Sequence, residues 1–145
     1  MANSLSQFSR RIRAVGKRVE VNTDKLTRQV ALVADQTVVL STPVDEGRAR
    51  SNWIVSLGSP ALSEREPYAP GSKLGLSEGG NASGAIAQGQ GVIAARKSGQ
   101  DIFISNNVPY ISDLNNGTSA QAPANFVEKA VQVAVSAIRG ARITR

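Results

Sequence analysis

Thr42-Pro43-Val44-Asp45-Glu46-Gly47-Arg48-Ala49-Arg50-Ser51-Asn52-Trp53-Ile54-Val55-Ser56-Leu57 is the stretch on which the reading of this chain turns. Pro43 lacks a backbone donor and crowds the turn before it, so the helix that precedes it stops near Ser41. Gly47 suits a tight turn. Trp53 to Leu57 is a short aromatic and β-branched run closed by Gly58 and Pro60, which predicts a strand with Trp53, Val55 and Leu57 on one face. Helix end, turn and strand thus follow one another within sixteen residues.

Upstream, Leu5, Phe8, Ile12, Val15 and Val19 recur at steps of three and four, one stripe of an amphipathic helix over 1–22 with Arg and Lys around the rest. Gly16 inside it costs roughly 1 kcal/mol relative to alanine and is a place to bend. Thr23 and Asp24 offer N-cap chemistry for a second helix whose buried stripe reads Leu26, Val30, Val33, Thr37 and Leu40. Downstream, residues 59–82 turn poor in large apolar side chains and rich in Gly, Ser, Pro and Glu, which predicts a long flexible loop. Residues 83–97 read either as a small-residue helix, the favoured choice, or as half of a hairpin. Asp101-Ile102-Phe103-Ile104-Ser105 is a second strand, entered through the turn Ser98-Gly99-Gln100. Pro123 suits a first helical position, Val127, Val131, Ala134, Val135 and Ile138 follow at helical spacing, and Gly140 supplies a stop. The expected fold is α+β in a single domain over 1–145, with a small antiparallel or mixed sheet packed by an N-terminal helix pair and a C-terminal helix.

Composition narrows the chemistry. The 145 residues contain no Cys and no His. That removes disulfides, thiolate nucleophiles, Ser-His-Asp catalysis and His-ligated zinc, and the expectation is a non-enzyme without cofactor or metal. No run has the apolar length of a membrane span and the first residues lack a signal-peptide core, so the chain reads as a soluble cytoplasmic product. The net charge of +6 is unevenly placed: Arg10, Arg11, Arg13, Lys17 and Arg18 precede any acid, Arg139, Arg142 and Arg145 close the chain, and residues 19–129 sum to −2. Basic ends of this kind can displace counterions from nucleic-acid phosphates. The lack of interleaved aromatics for base stacking favours a solvated or protein-facing role instead.

Four local matches carry little. Gly75-Leu76-Ser77-Glu78-Gly79 fits the nucleophile-elbow pattern but has no preceding strand, and the chain has no His to take a proton. Gly89-Gln90-Gly91-Val92-Ile93-Ala94 fits a dinucleotide fingerprint outside any βαβ unit, and reads as small residues for close packing. Asp45 and Glu46 are neighbours in one turn, whereas paired acid–base carboxylates need opposed placement and unlike environments. Asn81-Ala82-Ser83 and Asn116-Gly117-Thr118 fit the glycosylation sequon and read as polar turns.

Two stretches carry more when read together: Thr42 to Trp53, and then Ser105-Asn106-Asn107-Val108-Pro109-Tyr110, Leu114-Asn115-Asn116-Gly117-Thr118 and Gln121-Ala122-Pro123-Ala124-Asn125-Phe126-Val127. In this order and spacing they resemble the tail completion, or head–tail joining, proteins of long-tailed phages, including the minor tail protein Z group. There a TPVDTGRLRSSW-like segment precedes a strand, and a strand ending in Asn leads to PYA, LEYGTS and QAPAGMV-like segments. The resemblance covers roughly residues 23–140 with a gap over 59–82, and leaves the basic N-terminal helix outside. The chain departs from the pattern at Asn115, where an acid is usual, and at Ala124-Asn125-Phe126, which replaces Ala-Gly-Met.

The resemblance implies a structural virion protein at the tail or neck, made in the host cytoplasm. Its partners would be further copies of itself in a ring, a hexamer, together with the major tail tube protein and a neck or head-completion protein, around a channel that passes DNA. No membrane is involved. Trp53, Tyr110 and Phe126 are expected as core anchors, and Asp45, Arg48, Asn107 and Thr118 as structural or subunit-contact positions. The competing expectation is a nucleic-acid-binding module that uses the basic terminal helices.

Overall fold

A computed structural model describes residues 2–43, 47–69, 78–118 and 124–142. The elements in chain order are α1 (Ala2–Ser41), α2 (Arg48–Ser51), β1 (Ile54–Leu57), α3 (Glu78–Ala94), β2 (Ile102–Ser105), α4 (Ile111–Asn115) and α5 (Phe126–Ala137). The fold is α+β. The two strands pair antiparallel with Ile54 opposite Ser105 and Leu57 opposite Ile102. The long N-terminal helix, α3 and α5 pack against them.

The expected N-terminal helix pair is one continuous helix of 40 residues. Neither local signal breaks it. Thr27 Oγ1 donates to the Thr23 carbonyl within the helix, at 2.8 Å. Asp24 caps nothing, because its carboxylate accepts from Arg96 Nη1 at 3.0 Å, and the buried Arg96 in turn donates through Nε to the Gln100 carbonyl. The Arg28 guanidinium donates to the Arg96 carbonyl. These bonds clamp α1 to the turn between α3 and β2, so the second half of the helix belongs to the body of the protein. The first half leaves it: residues 4–18 are all exposed.

The buried face of α1 also differs from the expected one. Ala31, Asp35, Val38, Val39 and Thr42 are buried, while Leu40 is 59% exposed. From Val30 to Leu40 apolar residues lie on nearly every side of the helix, and the close approach of α3 decides which side is covered. Gly89 of α3 lies so near Asp35 that a Cβ there would overlap the carboxylate. The same correction applies to α5, where Phe126, Ala130 and Ala134 are buried and Val131 and Val135 are exposed. Small residues let α1 and α5 pack closely, and the larger valines are turned outward.

The main core gathers Val38, Val39, Trp53, Ala82, Ala85, Phe126 and Ala130, and a smaller one Ala31, Val55 and Ile93. Trp53 and Phe126 are therefore core anchors as expected. Tyr110 is only half-buried and belongs to neither cluster. The small-residue stretch after the loop is helical, and α3 begins at Glu78, so residues 78–82, assigned by sequence to the loop, are helix. Asn81, read as part of a polar turn, lies fully buried inside α3.

Candidate functional site

The fold brings together the two stretches that stood out in the sequence. On the first, Pro43 ends the helix and Gly47 takes a φ of +70°, with Asn81 so close that no side chain fits there. The chain then makes the single turn of α2 and enters β1 through Trp53. The Trp53 indole donates to Thr42 Oγ1 at 2.7 Å, and that hydroxyl donates to the Val38 carbonyl at 2.6 Å. The corner between α1 and β1 is thus fixed from within, by a chain of two buried hydrogen bonds that satisfies every polar group it buries.

On the second stretch, Asn106 follows β2 and donates to the Ala49 carbonyl at 2.8 Å, while its Oδ1 accepts from the Val108 amide at 3.1 Å. Asn107 donates to the Ala61 carbonyl at 2.8 Å. Arg48 stands 5.8 Å over the Tyr110 ring and pairs through Nε with Glu64 at 3.0 Å. That hydrogen bond and the carboxylate's charge hold the Arg48 guanidinium above its usual range. Because the Arg48–Glu64 pair is surface-exposed, its contribution to stability is modest, and its role is to set the guanidinium's direction. Tyr110, expected in the core, serves instead as the surface ring beneath Arg48.

Asn115 ties the second stretch to α5. Its carbonyl accepts from the Asn125 amide at 2.7 Å, and its Oδ1 accepts from the Val127 amide at 3.0 Å, one of the donors a helix start leaves free. Its Nδ2 donates to Glu128 at 2.9 Å, which holds that carboxyl below the usual range. An aspartate here would accept from Val127 equally well but repel Glu128, so the amide suits this chain. Asn125 has a φ of +65°, the left-handed region, where asparagine substitutes best for glycine. Thr118, exposed, donates through Oγ1 to the Asp113 carbonyl at 3.0 Å and closes the turn after α4. Asp45 lies outside the described residues.

A third set of residues escaped the sequence reading. Asn52 and Asn81, both fully buried, pair with backbone as a strand would. Asn52 accepts from the Arg65 amide at 2.7 Å and donates to the Arg65 carbonyl at 3.0 Å. Asn81 does the same with Ala69, at 2.9 and 3.0 Å, and accepts from Ser51 Oγ at 2.7 Å. Residues 65–69 are thereby laid across α2 and α3. The one local signal was the density of Asn near the turn, which pattern alone cannot separate from solvated loop chemistry.

Asp35 is the carboxyl most perturbed by its surroundings. Burial without an ion pair raises it to about 7, and its Oδ1 has no hydrogen-bond partner among the described residues. It faces Gly89 and Val55 in the interior, not a cleft. Among the described residues no cluster of three or more acids could hold a metal, and no helix is long and apolar enough to cross a membrane. Gly89 to Ala94 lies inside or at the end of α3 and makes no phosphate loop. Residues 75–77 of the nucleophile-elbow match, and Glu46, lie outside the described residues.

No family model, no curated protein and no solved structure matches this chain. The functional reading therefore rests on the residues and their geometry.

Proposed function

We propose that this chain is a structural subunit of a tailed-phage virion, a tail completion or head–tail joining protein that forms a ring at the head-proximal end of the tail, and not an enzyme. The observation that carries the reading is the junction of the two stretches on which the resemblance was drawn. Ala49 and Asn106, 57 residues apart, are hydrogen-bonded, and Arg48 lies over Tyr110. The antiparallel register that sets Ile54 opposite Ser105 gathers both stretches at one corner of the fold. The two departures also fit: Asn125 occupies the left-handed conformation where the pattern has glycine, and Phe126 fills the core where the pattern has methionine.

The mechanism is assembly. Rigid corners at Thr42–Trp53 and Asn106–Tyr110 hold the surrounding surface in one geometry, which a contact repeated identically around a ring requires. Arg48, Glu64, Glu66 and Pro67 line a polar recess of about 330 Å³ beside that junction, the surface proposed to meet a tail or neck partner. The test is removal of the coding sequence from the virus that carries it. The expected result is filled heads and finished tails that do not join, with joining restored by the supplied protein. Intact, infectious particles lacking this chain would overturn the reading.

The nucleic-acid-binding alternative has one observation in its favour. Arg10, Arg11, Arg13, Lys17 and Arg18 are all exposed on the projecting half of α1, and Arg139 and Arg142 follow α5 at the same end of the body. It requires duplex binding by the isolated subunit that weakens steeply as salt rises. Arg10, Arg11 and Arg13 changed together to Glu would abolish that binding and leave particle assembly intact.

A further inference from the structure

The projecting half of α1 has an exposed apolar face that no other described element of its own subunit covers. Leu5, Phe8 and Ile12 are 75%, 61% and 55% exposed, and Val15 continues the row. At about 100° per residue, Leu5, Phe8, Ile12, Val15 and Val19 fall within an arc of about 80°. This is the narrow seam of a helix that packs on another helix, and it is narrower than the face of a helix lying on a sheet or a lipid surface. Arg11 and Arg18, seven residues apart, border it on one side.

The body of the same chain carries the matching concavity. A groove of about 670 Å³ runs between Leu26 and Val30 of α1 and Val131 and Val135 of α5, with Ile138 just after α5 and Ile102 of β2 among its lining residues. Helices α1 and α5 form its long walls and give it an apolar floor, while Thr23, Thr27, Arg96, Gln100 and Asp101 make its rim polar. Along α1 it extends from Thr23 to Ala34, about 17 Å, while Leu5 to Val15 spans about 15 Å. Asp101 stands exposed among the lining residues and makes no ion pair among the described residues, a counter-charge for the arginines that border the seam.

A subunit cannot fill its own groove. The arm is the straight continuation of the helix whose residues 23–34 form one of the groove's walls, and the Asp24–Arg96 and Arg28–Arg96 bonds fix that wall to the body. We infer that residues 5–15 of α1 seat in the groove between α1, α5 and β2 of a second copy of this chain. Each subunit gives one arm and receives one, a head-to-tail contact of the kind that closes a ring. The inference rests on the assembly reading above and supplies the surface that joins the copies. Gly16 is consistent with it: a Cβ there would meet nothing within 4 Å, so no contact inside the subunit calls for glycine.

The test uses the full chain and three kinds of variant, with subunit association measured by light scattering and fold by circular dichroism. Ile12→Glu in the arm and Val135→Glu in the groove each alter an exposed side chain, so each should melt like the parent while weakening association about tenfold to a hundredfold. The chain has no cysteine, so a chain carrying Phe8→Cys and Val135→Cys should give covalent dimers or a ladder on mild oxidation, with the bond between different chains. Multimers that persist in both Glu variants would overturn the arm contact and leave the ring standing. A parent chain that stays monomeric at millimolar concentration, without cross-links, would overturn both. Cross-links that join only position 8 of one chain to position 8 of another would assign the arm to another arm. Binding to phosphatidylglycerol vesicles lost in Ile12→Glu and kept in Val135→Glu would assign it to a lipid surface.

Discussion

The two halves of α1 form one helix and live in two environments. From Thr23 onward it is clamped by Arg96, covered by α3 and α5, and buries Ala31, Val38 and Val39. Before Thr23 it carries larger apolar side chains, Leu5, Phe8 and Ile12, and buries none of them. Side-chain size therefore does not mark the core on the helices of this protein: Trp53 and Phe126 fill its centre, but α1, α3 and α5 approach one another where Ala and Gly line them, and the bulky residues of the first half of α1 stay outside.

The difference can be broken most sharply with two phenylalanines. Phe126 is 2% exposed and Phe8 is 61% exposed. Phe126→Ala should cost about 3–5 kcal/mol in urea unfolding of the subunit, the usual loss for an aromatic removed from a packed core. Phe8→Ala should stay within about 0.5 kcal/mol. A comparable loss from both, at concentrations where the chain is monomeric, would mean that the arm packs on its own body.

Asp35 sharpens the comparison from the buried side. Its carboxyl is raised from 3.8 to about 7, so the folded state holds a proton that the unfolded state releases. Its contribution therefore favours the fold at pH 4, declines as pH rises from about 4 to about 7, and is constant above that. A shift of roughly three units corresponds to about 4 kcal/mol at most. Denaturant titrations of Asp35→Asn from pH 4 to pH 8 should lack this decline, and the variant should overtake the parent as pH rises. A parent and variant that track each other across the range would show that the carboxyl is not desolvated as described.

Two smaller effects complete the set. Gly16→Ala should slow amide exchange in residues 4–20 and leave the body's exchange unchanged, for a gain of about 1 kcal/mol or less in helix formation. Asn115→Asp should raise the Glu128 carboxyl, readable by its NMR titration, with little change in stability, since the pair is exposed. An unmoved Glu128 would remove Asn115 as the cause of its depression.

The strands, the end of α1 and the existence of α5 were legible because each rests on a local signal: β-branched runs, Pro43, or helical spacing; for α3 the small residues favoured a helix but left a hairpin open. The continuity of α1 was not, since Asp24 is diverted from capping by Arg96, 72 residues away. Nor was the buried face of α1, which depends on where Gly89 lets α3 come close to Asp35, or that of α5, which is set by its packing on α1. The junction's members were mostly visible as turn residues. That Asn52 and Asn81 act as backbone mimics was invisible, because their partners at residues 65 and 69 are set only by the fold.

Gln88 supplies a last consequence. A sheet of two strands has two outer edges, and Val55 turns its amide and carbonyl toward the edge that β2 does not occupy. Gln88 of α3 takes both, accepting from the Val55 amide at 3.0 Å and donating to its carbonyl at 2.9 Å. At Val55 that edge is plugged by a side chain, and a strand from another molecule finds no free backbone pair there. Copies of this protein at high local concentration are thus hindered at Val55 from zipping through β1 into an open-ended fibre.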